Sequence, residues 1–116
     1  RNIEVTIDEQ DIFNVTMNES LAVALLTNLL KNAFVHNIDG GHIRITVTKN
    51  SITFRNSGVE NPLDKEHIFE RFYQGTKKEG STGLGLAIAD SICRLQHLSI
   101  RYYFEQKEHC FEISRQ

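Results

Sequence analysis

Residues 19–37 most constrain what this chain can fold into. They read as a helix that is apolar around most of its circumference, with Asn28 and Asn32 spaced four residues apart on one face. Leu21, Leu25 and Val35 share that stripe, so the two amides lie among side chains that favour burial. An amide buried without partners costs roughly 2–7 kcal/mol on transfer scales. Either the rest of the protein or a ligand must therefore hydrogen-bond to Asn28 and Asn32.

At 116 residues, 40% hydrophobic and 24% charged, the chain has the make-up of one soluble globular domain with a single core, residues 1–116. Its net charge of -2, without a long run of like charges, gives no reason to expect nucleic acid or an anionic membrane surface as partner. Cys93 and Cys110 show no CxxC spacing and point to a reducing compartment, with a single disulfide as the alternative. No apolar run reaches the ~18 residues needed to span a bilayer, and no signal-peptide layout opens the chain. Starting at Arg1 instead of Met is expected of a fragment or a processed chain.

The alternation over residues 3–7 predicts a strand, and Ile12, Phe13 and Val15 suggest a second, weaker one. Asn18 supplies N-cap chemistry for the long helix, which is expected to stop near Asp39, Gly40 and Gly41. Residues 43–48 and 52–55 alternate on either side of a Lys49-Asn50-Ser51 turn and predict a hairpin. Asp64 is placed to cap a short helix carrying Ile68, Phe69 and Phe72. Residues 75–81 hold no apolar side chain and read as a surface loop. The next helix opens at Gly83-Leu84-Gly85, with Leu84, Ile88, Ile92 and Leu95 at helical spacing and Asp90 and Arg94 one turn apart outside. Residues 100–105 and 110–113 close the chain as a second hairpin. The expected fold is an α/β (α+β) two-layer sandwich, a mixed, largely antiparallel sheet of about five strands carrying three helices on one face.

Two stretches carry chemistry. Glycines at the start of a helix let backbone approach closely, and the unpaired N–H groups and positive dipole end there suit a phosphate. Residues 82–88 have this form, although glycines before helices are common; neither GxxxxGK[ST] nor GxGxxG occurs. Asn28 and Asn32 are the second stretch. An amide oxygen is a hard neutral ligand suited to Mg2+, which takes few protein ligands beside phosphate oxygens and water. The structural alternative is that both amides tie down loop backbone inside the core.

Taken together, the motifs resemble the ATP-binding catalytic domain of sensor histidine kinases, in the wider group that includes gyrase, mismatch-repair ATPases and a heat-shock chaperone. The N-box match is Asn28-Leu29-Leu30-Lys31-Asn32-Ala33, and the G1 box is Asn56-Ser57-Gly58. Residues 68–73 match the F-box and residues 83–88 the G2 box, in the family's order across nearly the whole chain. The F-box and the Gly-Leu-Gly-Leu-Ala-Ile run favour the kinase branch. The resemblance implies a Bergerat ATP-binding fold with ATP and Mg2+ as cofactors. By position it implies Asn32 as metal ligand, Asn28 on the phosphates or their water shell, and Gly83, Leu84 and Gly85 as the phosphate loop. Residues 74–82, ending at Thr82, would be the ATP lid, with Lys77 and Lys78 within reach of phosphates. Lys31, His36, Asn56 and Gly58 complete the implied nucleotide contacts.

The chain departs from the family pattern at four positions. Asn56 stands where an aspartate usually accepts a hydrogen bond from the adenine amino group, and its carbonyl oxygen accepts the same bond without charge assistance. Restoring aspartate is expected to tighten binding. Glu60 replaces a glycine, and Val35 and Gln74 replace frequent basic residues. His36, His42, His67, His97 and His109 lack the His-Glu/Asp context of a phosphoacceptor and read mostly as surface or core filler.

The implied activity is transfer of the ATP γ-phosphate to a histidine on a separate dimerisation domain. The implied partners are that phosphoacceptor domain and a downstream response-regulator receiver, within a homodimer. The expected place is the cytoplasmic side of a membrane sensor. The alternatives are a non-catalytic nucleotide-binding or interaction module, and an anti-sigma-type serine kinase of the same fold.

Overall fold

The structure, a computed structural model, describes residues 2–73 and 82–116. A five-stranded sheet has the order β1-β2-β3-β5-β4, with β1 (Glu4–Glu9) parallel to β2 (His42–Val47) and the remaining neighbours antiparallel. β2 and β3 (Ser51–Asn56) form the first expected hairpin; β4 (Leu98–Glu105) and β5 (Glu108–Arg115) form the second. The second turns through Gln106 and Lys107, both at positive φ (51° and 61°), the backbone twist a two-residue hairpin requires. A parallel pair cannot be joined by a tight turn, and α1 (Glu19–Val35) supplies the crossover from β1 to β2.

Asn18 caps α1 by accepting a hydrogen bond from Leu21 N at 3.0 Å. The helix stops at Val35, earlier than the glycines suggest, because His36 N bonds back to Asn32 O and the chain then turns. With α2 (Gly85–Leu95), it lies on one face of the sheet. Leu25 and Leu29 of α1 and Ala89, Ile92 and Cys93 of α2 bury against Phe54, Tyr102, Phe111 and Ile113 from three strands. Cys93 and Cys110 are separate, buried thiols, and burial pushes both up to about 11, which keeps them protonated.

Two expectations are corrected. Residues 12–15 are not a strand: β1 already occupies the free edge of β2. Residues 65–72 form consecutive turns, so two helices are present among the described residues where three were expected. Asp64 does cap there, its Oδ1 accepting from Glu66 N at 3.0 Å, but Phe72 takes a positive φ of 64° that no helix allows.

Candidate functional site

A cavity of about 190 Å3 opens between the C-terminal half of α1 and the N-terminus of α2. One side is Asn28, Lys31, Asn32 and Val35, successive turns of one helical face, continued by His36 beyond the helix end. The opposite side is Thr82, Gly83, Leu84 and Gly85, with Leu86 and Ile88 following on α2. Ile68 and Tyr73 from the 65–73 turns close it.

The two amides are held differently. Asn28 Nδ2 donates to Ala24 O at 2.8 Å, one turn back, which leaves its Oδ1 facing α2; a Cβ on Gly85 would stand only 3.2 Å from that oxygen. Asn32 lines the cavity with no side-chain hydrogen bond to another described residue. The core-tie alternative thus describes the nitrogen of Asn28 and not Asn32.

Across the cavity, no side chain caps α2, whose N-cap residue is Leu84. Thr82 Oγ1 accepts from Leu84 N at 3.3 Å, and the first-turn N–H groups beyond it have no side-chain acceptor among the described residues. Gly83 sits at φ +75°, and a Cβ there would come within 2.7 Å of Phe72 Cα. Phe72 N donates to Gly83 O at 2.6 Å, so the F-box turn and the glycine loop clasp each other. Lys77 and Lys78, with Gln74, lie outside the described residues. Among the described residues the lining carries no carboxylate, and Lys31 is its cation. Helix dipole and charge both favour an anion.

Asn56 and Gly58 are not among the lining residues; they form the turn behind His36. A Cβ on Gly58 would lie 2.8 Å from His36 O. Asn56 is 2% exposed; Nδ2 donates to Ser57 O at 2.8 Å, while Oδ1 is buried without a partner. Such an orphan acceptor costs about 1–3 kcal/mol unless a ligand donor meets it. Ser57 Oγ donates to Asn37 Oδ1 at 2.7 Å and accepts from His42 N at 2.8 Å, stitching the turn to the end of α1.

Among the described residues, an open amide, an uncapped helix start and a lining without carboxylates suit a magnesium nucleotide, and the buried Asn56 acceptor lies outside that lining. Two residues at or near the cavity are not singled out by the sequence as site candidates. Tyr73, the last residue of the F-box match, lines the cavity beside the clasp at Phe72. His109, one of five histidines that read mostly as filler, lies close enough to Gly58 that a Cβ there would stand 3.2 Å from its Cδ2.

The family model for histidine kinase-, DNA gyrase B-, and HSP90-like ATPases matches residues 17–114, and the chain belongs to this family. Within it, the similarity runs to sensor kinases. Sensor histidine kinase RppB of Synechocystis is 43% identical over 84 residues, which cover 65% of this chain and 18% of that protein. The heme sensor protein HssS of Staphylococcus aureus is 35% identical over 103 residues, 84% of this chain and 22% of that protein. The chain thus spans about a fifth of the length of these curated relatives. Among solved structures, the catalytic domain of histidine kinase ThkA superposes with a TM-score of 0.80 at 25% identity, covering 96% of this chain and 76% of that one. The mycobacterial sensor histidine kinase MprB, at 19% identity and TM-score 0.81 over 97% of this chain and 84% of that one, supports the fold alone.

Proposed function

We propose that this chain binds Mg·ATP in the cavity and acts as the ATP-binding catalytic domain of a two-component sensor histidine kinase, passing the γ-phosphate to a histidine on a separate dimerisation domain. The observation that carries this reading is the convergence of the open Asn32 amide and the uncapped start of α2 on one cavity. Asn32 would hold the metal, with Asn28 supporting the phosphates or their water shell. The N–H groups from Gly83 to Gly85 would receive phosphate oxygens, and Thr82, Lys31 and His36 would flank them. Lys77 and Lys78 would add positive charge from the lid. Asn56 Oδ1 would accept from the adenine amino group once the base reaches the turn at Gly58. Bound Mg·ATP supplies the transferable phosphoryl group; the protein's part is alignment and stabilisation of charge by fixed donors, the usual demand of phosphoryl transfer.

In this reading a receiver domain takes the phosphate onward, the parent is a homodimer, and the domain works on the cytoplasmic side. No helix among the described residues is long and apolar enough to cross a membrane. A second reading, a nucleotide-binding module without kinase activity, is favoured by Val35, an apolar side chain in the lining where relatives often carry a cation.

Titration calorimetry with ATP, with and without Mg2+, tests the site. Incubation with γ-32P-ATP and the parent kinase's separately purified dimerisation domain tests the transfer. Magnesium-dependent binding with label on the acceptor, and none on this chain alone, is the expected result. Binding without transfer supports the second reading, and absence of binding overturns both.

A further inference from the structure

Directly across the sheet from Asn56 stands His109, 4% exposed and packed between the rings of Tyr102 and Phe104. Both of its nitrogens are engaged: Nε2 lies 2.6 Å from Val59 O and Nδ1 lies 2.8 Å from the Tyr102 hydroxyl. A carbonyl only accepts, so Nε2 carries the proton and Nδ1 accepts from Tyr102. The Tyr102 oxygen in turn accepts from Leu63 N at 3.0 Å. The hydrogen bonds therefore run one way, from Leu63 N–H through Tyr102 to His109 and from His109 to Val59 O. Burial, against the opposing pull of the Val59 carbonyl, holds the imidazole pKa below its ordinary value, consistent with a neutral ring.

This relay fastens the irregular segment after the 56–58 turn at two points, Val59 and Leu63. An apolar side chain would fill the space between Tyr102 and Phe104 equally well. What the imidazole adds is one oriented donor and one oriented acceptor. The ring stands close below Gly58, where a Cβ would approach Cδ2 to 3.2 Å. The turn bearing the orphan Asn56 oxygen is thus held from above by the end of α1 and from below by His109.

We propose that His109, acting through Tyr102 and Val59, is a positioning residue for the purine end of the bound nucleotide. It keeps Asn56 Oδ1 aimed as an acceptor and so favours a 6-amino purine over a 6-oxo purine. A 6-oxo group would set one acceptor against another, with no donor left because Asn56 Nδ2 is committed to Ser57 O. The inference rests on the nucleotide reading above.

The test compares the affinities of Mg·ATP, Mg·GTP and magnesium tripolyphosphate for wild type, His109→Phe, His109→Gln and Tyr102→Phe, with thermal melting of each. His109→Phe keeps bulk but loses both bonds. It is expected to lower ATP affinity about 10-fold, the scale of one or two buried hydrogen bonds, and to shrink the ATP-over-GTP ratio by a similar factor. Tripolyphosphate affinity, which reports the phosphate end alone, should stay within about twofold. His109→Gln retains a donor and an acceptor and should recover part of the ratio; Tyr102→Phe should shift it in the same direction as His109→Phe, by less. An unchanged ATP-over-GTP ratio in folded His109→Phe, or ATP and tripolyphosphate falling together, overturns the proposal. Should His109→Phe fail to fold, an unchanged ratio in Tyr102→Phe does so. Failure of wild type to bind ATP would instead strike the nucleotide reading, before any variant is compared.

Discussion

Around the cavity the Asn32 amide of α1 and the first-turn N–H groups of α2 have no side-chain partners among the described residues, and the backbone is shaped by a glycine at positive φ. Around residues 56–63, by contrast, two sets of hydrogen bonds, Ser57 with Asn37 and His42 and His109 with Tyr102 and Val59, engage the side chains and leave Asn56 Oδ1 without a partner. The chemistry of the proposed ligand explains the contrast. A phosphate chain is recognised by charge, which acts over several ångströms and tolerates adjustment. A base edge is recognised by a hydrogen bond that weakens steeply with angle, so its acceptor must be fixed in advance. One end is left open for the ligand to complete, and the other is completed by the protein.

Substitutions can break this contrast or sharpen it. The largest effect is expected for Asn32→Ala, which removes the open amide: Mg·ATP affinity should fall about 100-fold in calorimetry while the melting temperature stays within about 3 °C, because no described protein group loses a partner. Gly83→Ala comes next. An added Cβ would meet Phe72 Cα at 2.7 Å and make positive φ costly, so stability should fall by about 1–2 kcal/mol and ATP affinity about 10-fold. At the closed end, Asn56→Asp should loosen ATP about fivefold and lower stability in urea unfolding by about 1–3 kcal/mol. It discards the donor to Ser57 O and buries a charge, so the expected outcome is opposite to the tightening that family resemblance implies.

The smallest effect on binding is expected beneath the sheet. Glu108 is buried on the face opposite His109, gripped by Arg44 through two hydrogen bonds of 3.1 and 2.8 Å and by His42 at 2.7 Å. Burial works against its ionisation, but the hydrogen bonds from Arg44 and His42 outweigh it and hold the carboxyl below its ordinary range. The stability it contributes is therefore present above a pH of about 4.3 and is lost as pH falls through the lower, folded value. Glu108→Gln should cost about 1–2 kcal/mol at neutral pH, flatten that acid limb in urea unfolding, and leave ATP affinity unchanged. His109 acts in a higher window. Its folded pKa is depressed, so stability should begin to fall as pH drops below about 6.5 and level off beneath the folded value, a limb absent from His109→Gln.

Local pattern carried much of this. Both hairpins, the Asn18 cap and the glycine-opened helix follow from periodicity and capping chemistry, and the spacing of Asn28 and Asn32 anticipates their shared face. What escaped depends on partners distant in sequence. Residues 12–15 look like a strand in isolation, but no free edge of β2 remains for them. Residues 65–72 have helical composition, yet the Phe72 N–H goes to Gly83 O instead of a carbonyl one turn back. His109 and Glu108 are adjacent on β5 and face opposite sides of the sheet. Their roles are set by Tyr102 across the hairpin turn and by Val59 and Arg44, which no local window brings near.

The bond from Phe72 N to Gly83 O also has a geometric consequence. It brings together the two points between which residues 74–81 run, so the rest of the domain meets that segment as a stem of constant width. Closing a chain across fixed ends costs about 0.6 kcal/mol more for each doubling of its length, and this bond fixes those ends. The stem thereby holds Tyr73 and Gly83, which both line the cavity, at a set distance from each other.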